Sequence, residues 1–261
     1  MTETAETIFA LEAAGVRIDG RDLVHPLTLD LPAGRMIGLL GHNGSGKSTL
    51  MKVLARQLPP SSGTVRLSGR PLGDFASREF ARKVAYLPQQ TPATDGLRVS
   101  ELVALGRYPW HGAIGRFSKA DRAKAEQAMA ITNTARMAGR VVDTLSGGER
   151  QRAFLAMLVA QDADCLLLDE PISALDIAQQ IEVMTLIRGL VDGGRSVVVI
   201  LHDINVAARF CDRLLVLAEG RPIAWEPAET LMEADRLKSI YGVRMGIFRH
   251  PETSAPISYV L

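Results

Sequence analysis

Residues 36–49, MIGLLGHNGSGKST, constrain this chain more than any other stretch: a short apolar strand runs into a glycine-rich loop and out again as a helix. Gly41, Gly44, Gly46, Lys47 and Ser48 fill the pattern G-x-x-x-x-G-K-[ST], which tolerates no substitution at its fixed positions. With no side chains in the way, the backbone between Gly41 and Gly46 can wrap an anion, so that the N–H groups of His42, Asn43, Gly44, Ser45 and Gly46 converge on a phosphate. The helix that begins near Lys47 adds the positive end of its dipole. Lys47 is expected to reach the β- and γ-phosphates, with the Ser48 hydroxyl on Mg²⁺ and Thr49 beside it.

A phosphate loop needs a sheet to stand on, and composition allows one. The 261 residues are 47% hydrophobic, enough to fill a sizeable core. Thirty Lys and Arg against twenty-nine Asp and Glu leave a net charge of +1, which offers no basic field for nucleic acid. Cys165 and Cys211 make no C-x-x-C pair and no disulfide framework, as expected of a reduced, cytoplasmic protein. MTETAETIFA lacks the basic start and apolar stretch of a signal peptide. No apolar run approaches the ~18 residues of a membrane span, so any membrane role is expected to pass through a partner.

Alternation predicts an antiparallel pair from IFALEAAGVRI and LVHPLTLDL around Asp19-Gly20-Arg21-Asp22. TVRLSGRPL reads as two short extended pieces, VAYLPQQ as a strand ending in polar residues, and RLLVLAEGRPIAWE as a hairpin turning at Glu219-Gly220. From Thr91 to about Val142 the period is helical, with Ser100 and Ser118 as candidate N-caps. Within this stretch GRYPWHGAIGRF, residues 106–117, has no clear period and is either a packed loop or a docking surface. The whole is expected to be a single domain over 1–261, with a helical subdomain at about 91–158 inserted in an α/β core and a tail at 246–261.

Three further stretches carry chemistry. In LSGGERQR, Ser146 and Glu149 have capping-box spacing; Gly147 and Gly148 would leave bare N–H groups at the helix start, so the segment is either a well-capped helix or a grip on an anion. DADCLLLDEP delivers Asp169 and Glu170 at the C-terminal end of a strand, the edge where ligands bind in open parallel sheets. There Asp169 would hold the Mg²⁺ shell and Glu170 would polarise the attacking water. SVVVIL presents His202 at its end, within expected reach of the γ-phosphate. In DIAQQIEVMTLIRGLV, Ile177, Ile181, Met184, Ile187 and Leu190 recur at helical spacing and are expected to face the core. ETLMEADRLKSIYG reads as one helix, and MGIFRHPETSAPISYVL carries no motif.

The ordered set GHNGSGKST, YLPQQ, LSGGERQR, CLLLDEP, SALD and LHD resembles the nucleotide-binding subunit of an ATP-binding-cassette (ABC) transporter over roughly residues 8 to 245. More narrowly, GRYPWHGAIGRF and VAQDADCLLLDEP resemble the ATPases of bacterial ferric hydroxamate (ferrichrome-type) siderophore importers, close to those for vitamin B12, haem and catecholate siderophores. The resemblance implies an α/β fold: a P-loop NTPase core whose mixed sheet has helices on both faces, an antiparallel β subdomain and an inserted helical subdomain. It implies ATP and Mg²⁺ as ligands and a head-to-tail homodimer, in which Ser146, Gly147 and Gly148 complete the other copy's site. Gln89 matches the glutamine that touches Mg²⁺ and the attacking water, Asp176 the acid of the loop crossing the dimer interface, and His202 the γ-phosphate switch. The implied partners are a membrane permease docked near Gln89 to Gly112 and, indirectly, a periplasmic or surface substrate-binding protein, with the chain peripheral on the cytoplasmic face of the membrane.

Two positions depart from the family pattern. Ile18 stands where an aromatic residue usually stacks on adenine, and Ile172 replaces the threonine of DEPTSALD. Other classes fit less well: a DNA-repair ABC protein would carry a long coiled coil, a translation factor two cassettes, a small-molecule kinase no LSGGE or SALD, and an exporter half fused membrane spans.

Overall fold

The computed structural model describes residues 6–112, 115–252 and 254–261. The chain forms two compact units: one runs to Asp74 and resumes over Ser196–Leu261, and the other spans Phe75–Arg195. Two residues of GRYPWHGAIGRF, Ala113 and Ile114, lie outside the described residues.

The first unit opens with β1 (Thr7–Ile18) and β2 (Arg21–Pro32), paired antiparallel as their alternation predicts. β3 (Met36–Leu40) is buried at every residue, as a strand covered on both faces must be. It leads into α1 (Lys47–Leu54), and β4 (Ser62–Leu67) and β5 (Arg70–Pro71) then complete an antiparallel sheet of order β2-β1-β4-β5.

The second unit is mainly helical. Its elements are α2 (Ser77–Lys83), β6 (Val84–Leu87), α3 (Val99–Leu105), α4 (Tyr108–His111), α5 (Lys119–Ile131), α6 (Gly147–Gln161), β7 (Cys165–Leu168) and α7 (Ile177–Asp192). β6 and β7 pair in parallel. Ser118 caps α5 as expected, but Ser100 caps nothing: α3 starts two residues earlier than such a cap implies, with Arg98 as N-cap and the Glu101 carboxylate accepting from Arg98 N at 2.8 Å. The buried stripe of α7 is Val183, Met184, Ile187 and Val191. Ile181 and Leu190 are half-buried, and Ile177, expected in the core, is 80% exposed in the first turn, where nothing covers it within the described residues.

On its return the chain adds β8 (Ser196–Ile200), α8 (Ile204–Phe210), β9 (Arg213–Ala218), β10 (Arg221–Pro227), α9 (Ala228–Leu231), α10 (Ala234–Tyr241), β11 (Met245–Arg249) and β12 (Pro256–Val260) to the first unit. β3 pairs in parallel with both β8 and β9, and β10 closes antiparallel on β9. This sandwiching by two buried neighbours is what holds the phosphate loop at a strand end. ETLMEADRLKSIYG is two helices, not one, because the chain breaks at Met232-Glu233. The motif-free C-terminal stretch is an antiparallel hairpin of β11 and β12. Among the described residues, no helix is long and apolar enough to cross a membrane.

Candidate nucleotide site

The loop between β3 and α1 has the backbone that its glycines permit. Gly41, Gly44 and Gly46 take φ of 141°, 79° and 99°, the left-handed side where a Cβ is strained. Two of them are also walled in. A Cβ on Gly41 would lie 2.1 Å from the Leu217 carbonyl oxygen, and one on Gly46 2.6 Å from that of Leu23. Gly46 is the N-cap of α1, with Leu50 N donating to its carbonyl at 2.8 Å.

Lys47 is buried, and its ammonium donates to the carbonyls of Gly41 and His42, both at 2.8 Å. The long side chain is thereby folded back over the loop rather than out into solvent. Ser45 is also buried, and its hydroxyl has no hydrogen-bond partner among the described residues. A cup of backbone N–H groups around a buried cation, at a helix N-terminus, suits a triphosphate. Beside it opens a cleft of about 940 Å³, lined by His42 to Ser45, by Arg21 and His25 of β2, and by the Glu219–Arg221 turn. That volume falls in the range of small-molecule sites. Ile18 ends β1 and is 42% exposed. His202, exposed, follows β8, and Asp203 caps α8 by accepting from Asn205 N and Val206 N at 2.7 and 3.2 Å.

The second unit holds the carboxylates. Asp169 is buried directly after β7, where its N–H donates to the Leu87 carbonyl at 2.9 Å. Burial and the Asp169 carboxylate push the Tyr86 phenol up to about 12. Glu170 takes φ 53°, unusual for a non-glycine residue and frequent at functional sites. Its Oε2 accepts from Gln89 Nε2 at 2.9 Å, so two expected site residues 81 apart in sequence meet. The Ile172 side chain is buried.

Ser146 caps α6: its hydroxyl accepts from Glu149 N at 3.4 Å, and the Glu149 carboxylate accepts from Ser146 N at 2.9 Å. A Cβ on Gly147 would make only ordinary contact, 3.8 Å from the Ala174 carbonyl oxygen, whereas one on Gly148 would meet the Gln179 side chain at 2.1 Å. Asp176 is the N-cap of α7, accepting from Gln179 N at 2.8 Å. No motif marks the buried pair Arg107–Asp121, at 3.0 Å, which joins GRYPWHGAIGRF to α5. Arg107 also donates to the Ala160 carbonyl, and the guanidiniums of Arg82 and Arg107 lie 4.9 and 5.0 Å from the centroid of the Trp110 ring, whose indole N–H donates to Gln161 O at 2.7 Å. Gly106, Arg107 and Pro109 are thus packed, while Tyr108 and Trp110 stay 48% and 38% exposed.

A family model described as ABC transporter matches residues 24–173. The hemin import ATP-binding protein of Pseudomonas putida is 42% identical over 241 residues, covering 90% of this chain and 93% of its own length. The iron(3+)-hydroxamate import ATP-binding protein of Bacillus subtilis is 36% identical over 94% of this chain and 92% of its own length. The ferric enterobactin transport ATP-binding protein of Escherichia coli is 38% identical, covering 88% and 86%. Among solved structures, an inward-facing ABC transporter described as of metal-chelate type shares the fold, with a TM-score of 0.85 at 24% identity over 98% of this chain and 97% of that one. A dimeric bacterial ABC transporter cassette gives 0.75 at 26% identity, covering 84% and 98%. With sequence identity of this level along nearly the whole described length, the chain belongs to the ABC transporter family, as an ATP-binding subunit that hydrolyses ATP.

Proposed function

We propose that two copies of this chain hydrolyse ATP beneath a membrane permease and so energise import of an iron chelate, a ferric siderophore of the hydroxamate class. The observation that carries the reading is the walled glycine loop with buried Lys47 at the start of α1, in a chain whose relatives are named for iron(3+)-hydroxamate, ferric enterobactin and hemin import. The hemin import relative is 42% identical against 36% for the hydroxamate one, so hemin stands as the second reading.

In this mechanism the N–H groups of residues 41–49 and the Lys47 ammonium hold the phosphates. Ser48, Asp169 and Gln89 would supply the oxygen donors for Mg²⁺, whose charge would offset that of the phosphates. Glu170 takes the proton from water as the water oxygen attacks the γ-phosphorus and ADP leaves, and His202 steadies the γ-phosphoryl oxygens. The partner copy contributes Ser146, Gly147 and Gly148 at the far side of the phosphates, and Asp176 crosses the dimer interface. The dimeric state of the related cassette supports this arrangement. Exposed Tyr108, edge-on to His111, favours the stretch from Gln89 to Gly112 as the permease contact, on the cytoplasmic face of the membrane.

Uptake of a ferric hydroxamate into cells lacking the chain tests this. Wild type should restore uptake and Glu170→Gln should not, with phosphate release by the purified variant lowered about 10²- to 10⁴-fold. Undiminished hydroxamate uptake without the chain would move the cargo to hemin. A Glu170→Gln variant with the wild-type hydrolysis rate would remove Glu170 from its role.

A further inference from the structure

The end of α10 lies 198 residues beyond the phosphate loop, yet it touches it. His42 Nε2 is 3.3 Å from the Ile240 carbonyl oxygen, and the His42 imidazole meets the Tyr241 ring edge-on with centroids 6.1 Å apart. The Tyr241 hydroxyl is buried and has no hydrogen-bond partner among the described residues. Such a group costs folding free energy that phenylalanine would not, and its retention calls for an explanation.

The surroundings point to one. Burial, followed by the negative charge of Asp203, pushes the Tyr241 phenol up to about 12. Asp203 follows His202 directly, and only its Oδ1 takes part in capping α8. Two residues further on, Asn205 is tied to β12: its Nδ2 donates to the Ser258 carbonyl at 3.1 Å, and its Oδ1 accepts from Ser258 N and Oγ at 2.8 and 3.0 Å. The C-terminal segment therefore braces the phosphate loop at one point and the start of α8 at another.

Resting on the reading of this chain as an ATPase, we propose that Tyr241 is a positioning residue for hydrolysis. Its ring backs His42 of the phosphate loop, and its hydroxyl donates to the Asp203 carboxylate in the nucleotide-bound state, fixing the turn that carries His202. The hydroxyl, unpartnered among the described residues, is thus a donor held in reserve.

Tyr241→Phe removes that donor and keeps the ring. Wild type and variant are assayed side by side for ATP hydrolysis and for thermal unfolding without nucleotide. The variant should show kcat lowered about fivefold with KM within about twofold of wild type. Its Tm should be unchanged or raised by about 1–4 °C, since a buried unsatisfied group has been deleted. This divergence of rate and stability is what a packing role cannot produce. A kcat within about twofold of wild type would overturn the proposal, as would kcat and Tm falling together. A wild-type chain that hydrolyses no ATP would sink the nucleotide reading itself, and the proposal with it.

Discussion

Arg107→Met isolates a charge in the middle of the helical unit. The Arg107 and Asp121 side chains are 7% and 8% exposed, and the guanidinium joins three helices: it follows α3, pairs with Asp121 of α5 and donates to the Ala160 carbonyl of α6 at 2.8 Å. Methionine fills much of the volume but strands the carboxylate, a loss of about 3–5 kcal/mol when one partner of a buried pair is removed. For a chain of this size that corresponds to a fall in Tm of about 6–20 °C. In the double variant Arg107→Met/Asp121→Asn no charge is stranded, and the amide oxygen can still accept from Ser118, which donates to Asp121 from its N–H at 3.0 Å and its hydroxyl at 2.7 Å. The double variant should therefore be more stable than Arg107→Met alone. pH gives a second handle. Burial works to raise the Asp121 pKa, but the Ser118 hydrogen bonds and then the bond and charge of Arg107 hold it below the usual carboxylate value. A lowered folded-state pKa contributes stability above the unfolded value, lost as pH falls through the folded one. The gap between wild type and Arg107→Met should accordingly be widest near neutrality and narrow in acid. Thermal unfolding followed by circular dichroism across that range decides it. A loss under about 1 kcal/mol for Arg107→Met, or a double variant as unstable as the sum of the two singles, would refute the reasoning.

Gly46→Ala and Gly34→Ala both place a side chain at positive φ, 99° and 64°, but only the first also drives a Cβ to 2.6 Å from a backbone oxygen, whereas the second meets open space. Gly34→Ala should cost about 1–2 kcal/mol with ATP binding intact, and Gly46→Ala should abolish nucleotide binding measured with a fluorescent ATP analogue. Equal binding by both would disprove the walled-loop account. Ser146→Ala removes the N-cap of α6 and should destabilise the helix by about 1 kcal/mol in denaturant unfolding, against no change if the cap were idle.

The backbone of the glycine loop and the helix caps could be read directly from the chain because their geometry is local. G-x-x-x-x-G-K-[ST] fixes its own backbone through glycines at 41, 44 and 46, and S-x-x-E at 146–149 and Asp176 cap the helices that immediately follow them. The strands around the loop were legible for the same reason, since alternation and full burial are written residue by residue. Two of the expectations that failed depended on neighbours: Ser100 and Ile177 had the right spacing, but Arg98 took the cap and Ile177 lies where the described residues leave it uncovered, while the single helix expected of ETLMEADRLKSIYG breaks at Met232-Glu233.

Other contacts had no local signal at all. Gln89 meets Glu170 across 81 residues, and Arg107 reaches Ala160 across 53. His42 reaches Ile240 across 198, and Asn205 meets Ser258 across 53. Sequence determined which chemical groups this protein carries and the short-range backbone that presents the phosphate loop, because chirality, glycine and capping act within a few residues. Only the tertiary structure decided which of those groups share a hydrogen bond, because pairing in three dimensions depends on how buried surfaces stack, and residues far apart in the chain carry no mark of that in their spacing.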